Sequence, residues 1–351
     1  MRAAIIDSHH GIEVGEVADP APGPGQLVVR VTACGICGSD LKARPAMPHG
    51  TVMGHEFCGE VVALGSGVTG AWREGVQAAV LPVMSCGTCS WCRAGDVAHC
   101  QSARLVGLGG SPGGFAEFAV VSSEHSFALP DGVPNHYGAL VEPFAVGLHT
   151  ARIARIADGD SVLIIGGGPV GLTTARWARA LGAGDVVVSD PLAARRELSG
   201  LLGATAALDP AIDELGQDFD VVIDCAGKPG LLDTCVAAAS TKGRVVVAGA
   251  CSEPDPYIPI RALLKELRSP SPSTTGLKSF NPSSTHLRAG RSIRNPLSPA
   301  RSRSSSSTLP SPLLLERRPR ARFWSTRQAD LRAGRSACPY PPGGIGMLTW
   351  G

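Results

Sequence analysis

No uninterrupted apolar run in this 351-residue chain reaches the ~18 residues that a membrane helix needs, which excludes a helical membrane partner. The opening stretch, MRAAIIDSHHGIEV, lacks the long apolar segment of a secretory signal and alternates like a first strand, so the expected compartment is cytoplasmic. Aromatic residues (5%) and charged residues (18%) are scarce, whereas 44 Gly and 28 Pro make up about a fifth of the chain, above the usual ~12%. That balance excludes long helical bundles and coiled coils, and favours turns, barrels and nucleotide-binding loops. Eleven Cys in a chain this long do not suggest a disulfide scaffold; clustered Cys in a cytoplasmic protein point to metal.

The net charge of +2 averages two unlike regions. Residues 269–351 hold 13 Lys and Arg against two acids, Glu316 and Asp330, leaving 19 basic and 28 acidic residues in 1–268. The acidic body gives no reason to expect a phosphate-tracking surface, so no nucleic-acid partner is expected. The basic region also contains 16 Ser and 11 Pro, includes RSRSSSS at 301–307, and shows no helix or strand period. It reads either as a disordered low-complexity tail or as GC-rich coding text translated out of frame, and the composition favours the second. A nucleic-acid-binding arm is the minor alternative.

Residues 1–140 read as short strands between Gly/Pro turns, with VVRVTA (28–33), EVVALG (60–65) and GFAEFAVV (114–121) as the clearest. From about residue 141 the pattern changes. Apolar strands VLIIG (162–166), VVVSD (186–190), VVID (221–224) and VVVAG (245–249) alternate with helical stretches near 169–182, 192–203 and 230–240. Such alternation predicts βαβ units on a parallel sheet.

Three constellations carry chemistry. In Cys86-x-x-Cys89-x-x-Cys92-x7-Cys100, four thiolates can close a tetrahedral shell around one Zn²⁺, with Gly87 and Gly95 permitting the turns. No exchangeable position remains, so that zinc is structural. CGICGSD (34–40), GHE (54–56) and VEPF (141–144) form the second group. Cys37 and His55 are a natural ligand pair for a catalytic zinc, and Glu56 or Glu142 could supply the third ligand. Asp40 could accept the other ring N–H of His55, and Ser39 would place a hydroxyl beside the metal. In the third, Gly166-x-Gly168-x-x-Gly171 ends an apolar strand and opens a helix, as a dinucleotide pyrophosphate loop does. Asp190, 19 residues past Gly171, is placed to accept ribose hydroxyls and favours NAD over NADP, although Arg195 and Arg196 close by keep NADP open.

These motifs in this order resemble the zinc-dependent medium-chain alcohol dehydrogenase superfamily over residues 1 to about 268. Its polyol- and threonine-dehydrogenase-like members are similar in placing Glu-Pro at 142–143. The resemblance implies an α/β protein: a GroES-like, β-rich catalytic domain with two zinc sites over 1–140, then a Rossmann doubly wound parallel sheet binding NAD over 141–268. By family pattern Cys37 and His55 match catalytic-zinc ligands, with Glu56 just behind the metal and Glu142 at the third-ligand position. Ser39 matches the proton-relay hydroxyl, and Cys86, Cys89, Cys92 and Cys100 match the structural zinc lobe. Gly166, Gly168, Pro169, Val170, Gly171, Asp190 and Arg195 fall at the coenzyme.

The implied activity is hydride transfer from a polar secondary alcohol or polyol to NAD, by a homo-oligomer carrying two Zn²⁺ per chain. Two departures from the family pattern stand out. The segment between Asp40 and His55 is short, which bears on any relay through His49. Nothing after Arg268 resembles the family's completed sheet or its return to the catalytic domain. The alternative is therefore a zinc-binding chain that is catalytically impaired because its coenzyme domain is truncated.

Overall fold

A computed structural model describes residues 1–269 and the backbone of Met347 and Leu348. The expectations for the tail beyond Ser269 otherwise lie outside the described residues.

Strands β1 (Arg2–Ile6) and β2 (Ile12–Glu16) form an antiparallel hairpin. The principal sheet starts with β3 (Gln26–Gly35), after which the six-residue helix α1 (Gly38–Ala43) leads to β4 (Glu56–Leu64) and β5 (Gln77–Val80). A cysteine-rich excursion follows, framed by β6 (Val83–Met84), α2 (Ser90–Arg93) and β7 (Arg104–Leu105). The chain then returns through β8 (Phe118–Ser122) and β9 (Ser126–Ala128). β3 lies between β4 and β8, and the sheet continues from β4 to β5 and β9, antiparallel throughout. Leu27, Val29, Val31, Phe57, Val61 and Val80 fill its core. The strand expected from residue 114 starts only at Phe118. Before it, Phe115 and Ala116 are engaged by β1 through the Ala4 N–H to Phe115 C=O bond (2.8 Å) and an Ala3–Ala116 bridge.

Helix α3 (Val141–Ile153) joins two cores. Its first turns pack against Leu81, Val83 and Val97, while Ala151 packs under the second sheet. That sheet is built from β10 (Val162–Ile165), α4 (Pro169–Ala180), β11 (Val186–Ser189), α5 (Ala193–Leu201), β12 (Ala206–Leu208), β13 (Phe219–Asp224), α6 (Leu231–Ala238) and β14 (Ala239–Val247), with α7 (Pro259–Leu264) beyond. Its strands are all parallel, in the order β12-β11-β10-β13-β14. This is the 3-2-1-4-5 part of a doubly wound sheet. Val162 and Ile164 face one buried layer and Leu163 and Ile165 the other, which explains why β10 reads as a continuous apolar run.

The α/β class and both sheet types agree with the sequence pattern. β12, α3 and α7 were not expected: β12 has three residues, and the other two have no side-chain N-cap. Two further backbone pairings involve residues at and beyond Arg268. Arg268 begins a sixth position beside β14, accepting from Val245 N–H (2.9 Å) and donating to Gly243 C=O (3.2 Å). Met347 and Leu348 form β15 (Met347–Leu348), antiparallel to β3 at Gly35 and Cys34. Among the described residues, no helix is long and apolar enough to cross a membrane.

Leu163 is fully buried at the centre of the parallel sheet. Leu163→Ala should destabilise the fold by about 3 kcal/mol, read as a lower midpoint of denaturant unfolding.

Candidate active site and metal centres

Cys37 is the N-cap of α1. The Asp40 carboxylate, three residues on, accepts the Cys37 N–H through Oδ2 at 2.8 Å. Its other oxygen, Oδ1, lies 3.0 Å from His55 Nδ1. With Asp40 as acceptor, Nδ1 carries a ring proton, and Nε2, on the side of Ser39 whose Oγ is 3.3 Å away, is the nitrogen left to a metal when the ring is neutral. Asp40 and His55 are both buried. One carboxylate therefore fixes the loop bearing Cys37 and the tautomer of His55, as expected of Asp40.

The ligand atoms of Cys37, His55 and Glu56 lie within 4.8 Å of one another. Glu56 starts β4 opposite Gly35 of β3, and a Cβ at Gly35 would collide with its carboxylate. Glu142, in the first turn of α3, is outside that span, yet its charge reaches His55. Burial pushes the Glu142 carboxyl up to about 8, against the pull of His55, with Glu56 and Asp40 adding to the rise. Glu56 is raised for the same leading reason. Burial alone would lower His55, but its hydrogen bonds to Asp40 and Cys37 and the charges of Asp40 and Glu142 hold it well above its usual range. A half-buried thiol, a buried imidazole and three buried carboxylates thus gather here with a surplus of negative charge. A divalent cation fits that donor set, because its charge stabilises the ionised carboxylates that burial otherwise protonates.

The second centre is the cysteine excursion. Sγ–Sγ separations are 3.5 Å for Cys86–Cys100, 3.4 Å for Cys89–Cys92 and 3.9 Å for Cys86–Cys92. Thiolates bound tetrahedrally at ~2.3 Å from Zn²⁺ sit about 3.8 Å apart. All four are free thiols within 4.8 Å of one another, a cluster built for structural zinc. The N–H groups of Thr88 and Cys89, then the Thr88 hydroxyl, lower the Cys86 thiol to about 6. Among the described residues no other metal-type cluster occurs. Cys251, past the end of β14, is half-buried.

In the glycine loop the three glycines differ in surroundings. Gly166 has φ +105°, Gly168 faces open space, and a Cβ on Gly171 would strike the Gly166 carbonyl. These are the turn, the ligand approach and the close helix–strand contact that the motif requires. Pro169 and Val170 open α4. Asp190 is buried, and its Oδ2 accepts the Gly167 N–H (2.8 Å) and an Arg195 N–H (3.3 Å), while Oδ1 accepts the Leu192 N–H (2.9 Å). Arg196 is committed internally, to the Asp190 carbonyl and to Asp209 at 3.0 Å, and Arg195 keeps more exposure. His49 is exposed. Sequence reasoning overlooked Lys42, whose ammonium reaches the loops beyond β13 and β14; an isolated Lys on a short helix gives no signal of that.

Residues 23–131 match the family model of the alcohol dehydrogenase GroES-like domain, and 169–284 match that of the zinc-binding dehydrogenases. L-threonine 3-dehydrogenase of Pyrococcus horikoshii is 36% identical over 68% of this chain and 73% of its own length. A solved zinc-binding dehydrogenase of Sinorhizobium meliloti, bound to NADP, superposes with a TM-score of 0.74 at 33% identity, over 82% of this chain and 89% of that one. The short chain alcohol dehydrogenase RspB of Escherichia coli CFT073, in complex with NADH, gives 0.75 at 32%, over 82% and 88%. Sequence, sheet order and ligand clusters agree, and the chain belongs to the zinc-containing medium-chain alcohol dehydrogenase superfamily.

Proposed function

We propose that this chain is a zinc-dependent dehydrogenase that oxidises a polar secondary alcohol or polyol with NAD. The observation that carries the reading is the convergence of Cys37, His55 and Glu56 with the Glu142 carboxylate close by. The names of its relatives, L-threonine 3-dehydrogenase and the sorbitol dehydrogenase of Bacillus subtilis, support a substrate carrying a hydroxyl with polar neighbours.

Cys37 and His55, with Glu56 or Glu142, would hold the catalytic zinc. When bound, that zinc acts as a Lewis acid that lowers the pKa of the alcohol, and NAD accepts the hydride. The rest is done by the chain's own groups. Ser39 Oγ, 3.3 Å from His55 Nε2, is placed to take the substrate's hydroxyl proton and pass it outward. Asp40 keeps the His55 ring in the tautomer that leaves Nε2 free. The loop at Gly166–Gly171 and the start of α4 receive the pyrophosphate, while the spare lone pairs of Asp190 accept ribose hydroxyls. Arg195, held beside Asp190, leaves room for NADP as the less favoured coenzyme.

The alternative is a zinc-binding chain with impaired catalysis. It is favoured by one observation: among the described residues, the sixth position of the parallel sheet holds Arg268 alone. Zinc content and NADH binding of the purified chain separate the two readings. Two zincs with NADH binding support the enzyme; about one zinc with no NADH binding supports the impaired chain.

Cys37→Ala should abolish NAD-dependent alcohol oxidation and remove one zinc per chain while the four-thiol zinc stays. Unchanged oxidation by metal-analysed protein would falsify the assignment. Asp190→Ala should weaken NADH binding about tenfold and narrow the preference for NADH over NADPH, as measured by fluorescence titration. Because Cys86 is ionised above about 6, it is ready for zinc at neutral pH. Lowering the pH through that value protonates it, so zinc uptake by the metal-free chain should weaken more steeply below pH 6 than above it. A competition assay with a chromophoric chelator at stepped pH checks this.

A further inference from the structure

We propose that Lys42 is a positioning residue: its ammonium latches the metal-site helix onto the edge of the parallel sheet and so sets where the coenzyme's reactive end lies relative to the metal. The proposal rests on the dehydrogenase reading above, while the latch itself rests on geometry. Lys42 stands on α1, three residues after Ser39 and five after Cys37. Its Nζ donates to the carbonyls of Ala226 (3.0 Å), Gly227 (3.0 Å) and Ala250 (2.6 Å). An ammonium has three N–H donors, and all three are used.

The acceptors lie on two loops, one after β13 and one after β14, at the carboxyl edge of the sheet where ligands of such sheets bind. The dinucleotide loop touches the same place, since a Cβ on Gly166 would come within 2.8 Å of Ala226 N. The two loops are pressed together so closely that a Cβ on Gly249 would collide with Gly227 N, and one on Gly227 would lie 2.6 Å from the Ala250 carbonyl oxygen. Asp224 orients the cage from below, its Oδ1 accepting the N–H groups of Ala226 (2.8 Å) and Gly227 (2.9 Å). The peptide between Ala226 and Gly227 therefore has its N–H on a carboxylate and its C=O on an ammonium. Both charges favour the same dipole orientation.

Lys42 as a whole is exposed, and its observed ties are made by the head group. A guanidinium is longer and holds its N–H groups in one plane, so it does not reproduce three donors diverging from one nitrogen toward carbonyls on two loops. Through this tie, any movement of the loops is transmitted to α1 and hence to Ser39 and Asp40.

Hydrogen exchange by mass spectrometry on the full coenzyme-free chain, comparing wild type with Lys42→Met and Lys42→Arg, tests the latch. Peptides covering 225–228 and 248–251 should exchange about tenfold faster in Lys42→Met and stay fast in Lys42→Arg. The 86–100 lobe and its zinc should be unaffected, which shows that the variants fold. NADH should bind about tenfold more weakly to Lys42→Met. Exchange equal to wild type in both peptides overturns the latch. Faster exchange with NADH binding equal or tighter overturns the positioning role. A wild-type chain that binds no NADH counts against the dehydrogenase reading, and the exchange comparison still decides the latch.

Discussion

The carboxylate of Asp40 is the constraint on which the site depends. It is buried, and it divides its two oxygens between the Cys37 N–H and the His55 ring, residues that approach the site from different elements. Hydrogen bonds to an ionised group contribute about 1.5–3 kcal/mol each, and an unpaired buried carboxylate costs more than that. The cap of α1 and the orientation of His55 therefore form together or not at all. Ser39, between Cys37 and Asp40, has its position decided by the same bonds.

Around that pair the electrostatics run in one direction. Asp40, Glu56 and Glu142 are buried beside one buried imidazole, and burial raises both glutamates. A protein does not keep three carboxylates there for stability, since replacing them with apolar groups of similar volume would cost less desolvation. The arrangement makes physical sense as a seat for a cation. The cysteine excursion satisfies the same demand by a different route: its Cys86 is exposed, and backbone N–H groups rather than burial lower that thiol.

What was legible in the sequence follows from how local each feature is. The four-thiol site spans 15 residues and the glycine loop six, so spacing alone specified both, down to the separate duties of Gly166, Gly168 and Gly171. The parallel strands were legible because burial on both faces demands unbroken apolar runs. Helix α1 was not, because six residues cannot show a helical period; in retrospect its signal was the Cys37–Asp40 spacing, which is that of a cap and its return bond. The sequence suggested Asp190 as a ribose acceptor but not that three protein donors already hold it, because those come from the glycine loop and from α5 after folding. Glu142, separated from His55 by 87 residues, has no spacing that ties it to the ring, so it stood only as one of two candidates for the third ligand.

The two binding functions draw unequal support from the fold. Both metal clusters and the phosphate loop are built from residues that come before β12. The loops after β13 and β14 stand at the sheet's outer side, where Arg268 is the only residue beyond β14 among those described. Helix α7, next along the chain, is held by polar ties such as Arg261 to Asp233 and leaves Ile260, Leu263 and Leu264 largely exposed. It therefore contributes little apolar burial to that side. A parallel sheet is normally fixed by elements covering both its faces and its edges. Where that cover is thin, a restraint has to come from another part of the molecule. Lys42 supplies one from α1, the helix capped by Cys37, and so the placement of the coenzyme's reactive end becomes a property of the metal-site helix as much as of the coenzyme sheet.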